Sequence, residues 1–106
     1  PCCVARAICG RVAMSDIAVR IVVSGRVQGV WYRGWTLGEA TKRGIDGWVR
    51  NRRDGSVEAV FSGPAGEVAA MIAACHQGPP AARVDRVTSE PISEAPSPGF
   101  VQHPTV

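Results

Sequence analysis

Apolar and polar residues alternate along residues 17–24, which puts Val19, Ile21 and Val23 on one face and Arg20, Val22 and Ser24 on the other. A period of two predicts a half-buried strand. From about Tyr32 to Arg43 the spacing becomes helical, with Thr36, Leu37 and Ala40 as the inner stripe. Glu39 and Arg43 form an outer i,i+4 pair, worth about 0.2–0.5 kcal/mol. Gly34 and Gly38 each weaken that helix by ~1 kcal/mol relative to alanine, so packing has to hold it, and Gly44 closes it. A second strand is predicted over residues 45–53 and a third over 56–62, with Val57, Ala59 and Phe61 inward. Asp54-Gly55 between them is a hairpin signal. Gly63-Pro64 opens a second helix, the proline suiting a first turn, and Val68, Met71, Ile72 and Cys75 line one side of it to about His76. Gly78-Pro79-Pro80 ends it; residues 82–89 make a fourth strand and, after a loop with prolines and serines, 100–103 a short fifth piece.

The order β-α-β-β-α-β plus a short strand is that of an α+β, ferredoxin-like split βαβ sandwich: an antiparallel sheet of four main strands plus a short fifth, with two helices on one face. That fold hosts enzymes and RNA binders alike, so it does not give function. At 106 residues the chain makes one domain, large enough to bury about two thirds of its unfolded surface. A composition 45% hydrophobic and 20% charged excludes a disordered chain. No apolar run approaches the ~20 residues of a membrane helix, so no membrane partner is expected. A formal charge of +3 suits an anionic partner, small molecule or nucleic acid.

Cysteines 2, 3 and 9 crowd the start of the chain and only Cys75 lies in its body; with His76 and His103 the only histidines, no zinc ligand set can be built. A disulfide framework is not expected either, and reduced thiols in a cytoplasmic protein are the simplest account. Residues 1–13 read as an appendage to a domain of residues 14–106, because Met14-Ser15-Asp16 looks like a natural start just before the first strand. Arg6 and Arg11 interrupt the apolar run that a secretory signal needs. An upstream translated segment and a disordered N-terminal arm are the two accounts of it.

Candidate chemistry concentrates where the first strand meets the first helix, in Gly25-Arg26-Val27-Gln28-Gly29-Val30-Trp31, followed by Arg33. Gly25 and Gly29 can take positive φ and allow close approach of a ligand. A loop that opens onto a helix N-terminus turns several main-chain N–H groups into one concavity, which attracts anions. Arg33, in the first helical turn, can fork onto an oxyanion. The stretch therefore reads as a phosphate or carboxylate cradle, against the simpler reading of a glycine-rich connection with a solvated arginine. It lacks the P-loop pattern and the three-glycine dinucleotide pattern. At the end of the second strand, Asn51 carries an amide that can hold and aim a water molecule. Neither Asn51 nor Arg33 titrates near neutrality, so the pair suits electrostatic stabilisation and positioning rather than proton relay.

Gly25, two residues on Val27-Gln28-Gly29-Val30, then an aromatic pair and Arg33, resembles the first signature of the acylphosphatase family. Gly47-Trp48-Val49-Arg50-Asn51, followed by Gly55, Val57 and Gly63, resembles the second. The resemblance spans roughly residues 17–103, with Tyr32 where the family more often carries phenylalanine. It implies a metal- and cofactor-independent hydrolase of carboxylic-phosphoric anhydrides, with Arg33 and Asn51 as the catalytic pair. Arg26, Val27, Gln28, Gly29, Val30 and Trp31 would bind the substrate phosphate. A loose phosphoryl-transfer transition state spreads charge over its equatorial oxygens; the cradle and Arg33 would hold those oxygens while Asn51 aims water in line. Water activation would be assisted by the substrate.

The remaining residues read blandly. Trp31, Trp35 and Trp48 read as core or site wall, His76 as a helix-dipole contact, and Arg50, Arg52 and Arg53 as a solvated run that could steer an anion. Asp46, Glu58 and Asp85 show no pairing that suggests acid–base work. A non-catalytic module binding RNA or a protein is the main rival, but no RNP1-type pattern occupies the third strand, where Phe61 is the one aromatic. The second rival is a regulatory domain of a larger maturation factor handling carbamoyl groups; no zinc-finger cysteines follow the resemblance, which argues for a stand-alone enzyme. The expectation is a monomer acting on a small acyl phosphate, with no nucleic-acid partner.

Overall fold

The computed structural model describes residues 16–106; the proposed 1–13 appendage, with Cys2, Cys3 and Cys9, lies outside the described residues. Seven elements follow in the expected order: β1 (Asp16–Arg26), α1 (Tyr32–Lys42), β2 (Asp46–Asn51), β3 (Val57–Pro64), α2 (Ala65–Cys75), β4 (Arg83–Pro91) and β5 (Phe100–Gln102). They form one five-stranded sheet in the order β4-β1-β3-β2-β5. The first four strands are antiparallel to their neighbours. β5 lies parallel to β2, pairing Phe100 with Gly47 and Gln102 with Val49, so the sheet is mixed rather than antiparallel throughout. Asp46 stabilises that edge: its Oδ1 accepts the Gly99 N–H at 2.9 Å, and the Gly99 carbonyl accepts the Gly47 N–H at 2.9 Å.

The period-two alternation determines which side of the sheet is covered. Ile21 and Val23 of β1, Val49 of β2, and Val57, Ala59 and Phe61 of β3 are fully buried on one face. Tyr32, Thr36 and Ala40 of α1 and Val68, Met71 and Cys75 of α2 are buried with them. Tyr32, rather than the half-buried Leu37, completes the α1 stripe. Its ring lies in the core, and its hydroxyl donates to the Cys75 carbonyl at 2.7 Å, at the C-terminal end of α2. Burying a phenol is tolerable where its hydroxyl finds such a partner, so the core accepts a tyrosine at this position. Burial pushes the Cys75 thiol up to about 12, so it is a neutral core group.

Several boundaries differ from expectation by one to two residues. Pro64 closes β3 and caps α2 instead of lying in the helix, as suits a residue without an N–H at a helix boundary. Among the described residues no helix is long and apolar enough to cross a membrane.

Candidate active site

At the C-terminal end of β1 the chain bulges between Ser24 and Gly25. Gly25 has φ 126°, and a Cβ there would lie 2.3 Å from the Arg83 carbonyl oxygen. Its freedom therefore serves close strand contact, not ligand approach. Arg26 is the exposed last residue of β1, opposite Arg83. The loop proper is residues 27–31. Val27 anchors it by full burial in the core. Gly29 reverses the chain with φ 74° and nothing near its missing Cβ. Trp31 then takes a left-handed conformation, φ 67° and ψ 24°, as the N-cap of α1. No side chain caps that helix, and no acidic residue occupies its first turn. Its leading N–H groups thus keep their affinity for an outside anion. Arg33 follows in the same turn, half-buried, with no ion pair among the described residues.

Asn51 is the last residue of β2, paired with Val57. The hairpin beyond it is tightly held. Arg52 N–H donates to Ser56 at 2.8 Å, Gly55 N–H to Arg52 at 3.1 Å, and Asp54 Oδ1 accepts from both the N–H and the hydroxyl of Ser56. Hydrogen bonds from Ser56 hold the Asp54 carboxyl below the usual carboxylate range. Gln28 joins loop and hairpin: its Nε2 donates to the Arg52 carbonyl at 2.7 Å and to the Ser56 carbonyl at 2.9 Å. Both donors of one carboxamide are thereby used across 24 and 28 residues of sequence, so Gln28 offers its side-chain N–H groups to the protein itself. The cradle and the Asn51-bearing strand end accordingly share one edge of the molecule. A shallow cavity of about 190 Å³, lined by Ser24, Gly25, Asp54, Gly55 and Ser56, lies between the end of β1 and the hairpin and includes neither Arg33 nor Asn51.

Sequence profiles of the acylphosphatase family match residues 19–101. The chain belongs to the acylphosphatase family. An acylphosphatase of Rhizorhabdus wittichii is 57% identical over 90 residues, 85% of this chain and 91% of that relative. One of Nitrobacter hamburgensis is 54% identical over 99 residues, 88% of this chain and 100% of the relative. The solved acylphosphatase of Coxiella burnetii superposes with a TM-score of 0.82 at 30% identity, covering 85% of this chain and 95% of that one.

Within this family member Trp35 packs against the core as expected, while Trp31 and Trp48 lie outside it. Trp31 is 72% exposed, because its left-handed backbone turns the side chain out of the loop. Trp35 is half-buried against the core and tilted onto Tyr32 at 5.5 Å. Trp48, alternating with the buried Val49, lies on the sheet face without helices, stacked on His103 at 5.1 Å. Arg50 is not part of a solvated run: its guanidinium lies 4.7 Å from the Trp48 ring centroid and binds Glu58 at 2.8 Å. Arg20 binds the other oxygen of Glu58 and reaches Glu90 at 2.9 Å. Burial alone would raise the Glu58 carboxyl, but the hydrogen bonds from Arg50 and Arg20 hold it below its usual range. This cluster escaped the sequence reading: a two-residue Asp54-Gly55 turn would set Arg50 opposite Ala59, whereas the observed loop closes between Arg52 and Ser56 and sets Arg50 opposite Glu58. Larger cavities of about 470 Å³ on that face, under residues 92–99, include neither Arg33 nor Asn51.

Proposed function

We propose that this acylphosphatase-family enzyme binds the phosphoryl group of a small acyl phosphate with Arg33 and the main-chain N–H groups of residues 27–31, Arg26 standing at the entrance. Asn51 holds a water molecule in line with the carboxyl leaving group. The water oxygen bonds to phosphorus as the bond from phosphorus to the acyl oxygen breaks. The products are a carboxylate and inorganic phosphate. Because neither Asn51 nor Arg33 accepts a proton, the water proton passes to a phosphoryl oxygen of the substrate. Protein groups therefore act by position and charge, as a loose transition state requires. The reading extends to a cytoplasmic monomer that uses no metal and binds no nucleic acid.

The observation that carries this reading is the pair of Gln28 hydrogen bonds, which joins the loop before Arg33 to the hairpin after Asn51. Hydrolysis of benzoyl phosphate with chelator present throughout tests it. Loss of a fixed oxyanion donor costs about 10²–10³ in rate, and Arg33→Ala is expected to exceed that because binding weakens too. Asn51→Ala should lower kcat by a comparable factor with KM near normal. Intact turnover with a large rise in KM for Asn51→Ala overturns the assignment of roles.

A further inference from the structure

Trp31 combines features that each oppose stability. It is the one non-glycine residue of positive φ among the described residues, a conformation that costs a bulky residue energy. Its large apolar ring is mostly in solvent. Beside it, Gly34 occupies the first half of α1, where alanine would favour the helix. The reason for glycine is the indole itself: a Cβ at Gly34 would lie 2.1 Å from Trp31 Nε1, 2.6 Å from Cε2 and 2.8 Å from Cδ1, the three nearest atoms. The ring is thus seated on a notch in the helix, at the rim of the cradle and two residues from Arg33, with most of its surface uncovered. A fixed, exposed aromatic surface beside an anion site suits an apolar group attached to the anion.

We propose that the Trp31 indole is the platform for the acyl group, so that the enzyme favours acyl phosphates with an aromatic or extended apolar acyl group over acetyl phosphate. This rests on the phosphate site proposed above. The measurement is kcat/KM for benzoyl phosphate and for acetyl phosphate in the wild type, Trp31→Asn, Gly34→Ala and the double variant. Asparagine tolerates the left-handed conformation, so the loop keeps its course. The ratio of the two constants, benzoyl over acetyl, is expected to fall about tenfold in Trp31→Asn, the scale of one aromatic contact. Differences in intrinsic reactivity between the substrates cancel when this ratio is compared between proteins. Gly34→Ala should lower the ratio in the same direction by displacing the ring, and should change it no further when Trp31→Asn is already present. A ratio unmoved in Trp31→Asn, or moved by Gly34→Ala to the same extent with and without the indole, overturns the platform. Arg33→Ala is measured beside them: if it hydrolyses both substrates normally, the phosphate site itself is misplaced, whereas a dead Arg33→Ala with an unmoved Trp31→Asn ratio defeats the platform alone.

Discussion

Gln28 bridges two segments that the chain brings together only on folding. Its carboxamide donates to Arg52 and Ser56, and both acceptors keep a main-chain donor as well, from Gly55 and Arg52 respectively. Removing it therefore leaves the carbonyls partly satisfied, and Gln28→Leu should cost about 1–2 kcal/mol, two hydrogen bonds of ordinary net value. Urea denaturation checks this figure. The more telling readout is kinetic: with the loop detached from the hairpin, Asn51 loses its fixed place relative to Arg33. The variant should then lose kcat at temperatures where it is fully folded, because small misplacements of positioning groups are costly. A folded Gln28→Leu protein with wild-type kcat would show that the bridge is structural only.

Among the helices and strands, glycines separate into those the backbone needs and those it does not. Gly38 is exposed within α1, has open space at its Cβ position and lies beyond the loop. Gly38→Ala should raise stability by about 0.5–1 kcal/mol, seen as a higher denaturation midpoint with unchanged slope. Gly47 of β2 is the opposite case. It has φ 143°, and a Cβ there would sit 1.8 Å from the Val60 carbonyl oxygen, inside the β2–β3 ladder. Gly47→Ala should destabilise by about 2–4 kcal/mol through strain and lost pairing. A stable Gly47→Ala protein would contradict the strand contact described here.

For the molecule as a whole, the helix-free face of the sheet makes stability depend on pH. Glu58 is buried between Arg20 and Arg50, and its carboxyl is depressed in the folded state. A depressed carboxylate contributes stability that is complete above its unfolded value, about 4.3 for glutamate, and is lost as the pH falls through the lower folded value. The thermal midpoint should therefore drop below about pH 4–5, and Glu58→Gln should flatten that part of the profile. At neutral pH the same substitution should cost about 1–3 kcal/mol, the scale of hydrogen bonds to charged groups, toward the lower end because both arginines are about a third exposed, at 32% and 29%. An unchanged acid limb in Glu58→Gln would assign the loss to other carboxylates.

Local periodicity was enough to determine the seven elements, the two faces of β1, the buried face of β3 and the α2 stripe, since those depend on residues two to four positions apart. The two glycine motifs likewise put the 27–31 loop and Asn51 at element ends. What the linear pattern could not settle were contacts between distant positions: the parallel docking of β5 on β2, the Arg20–Glu58–Arg50 cluster and the double hydrogen bond of Gln28. Trp31 shows the difference most directly. Aromatic size argues for burial, but the left-handed turn that ends the loop and the notch at Gly34 hold its ring in solvent. Hydrophobicity says only that a side chain favours leaving water; backbone geometry and the space left by other segments decide whether it can.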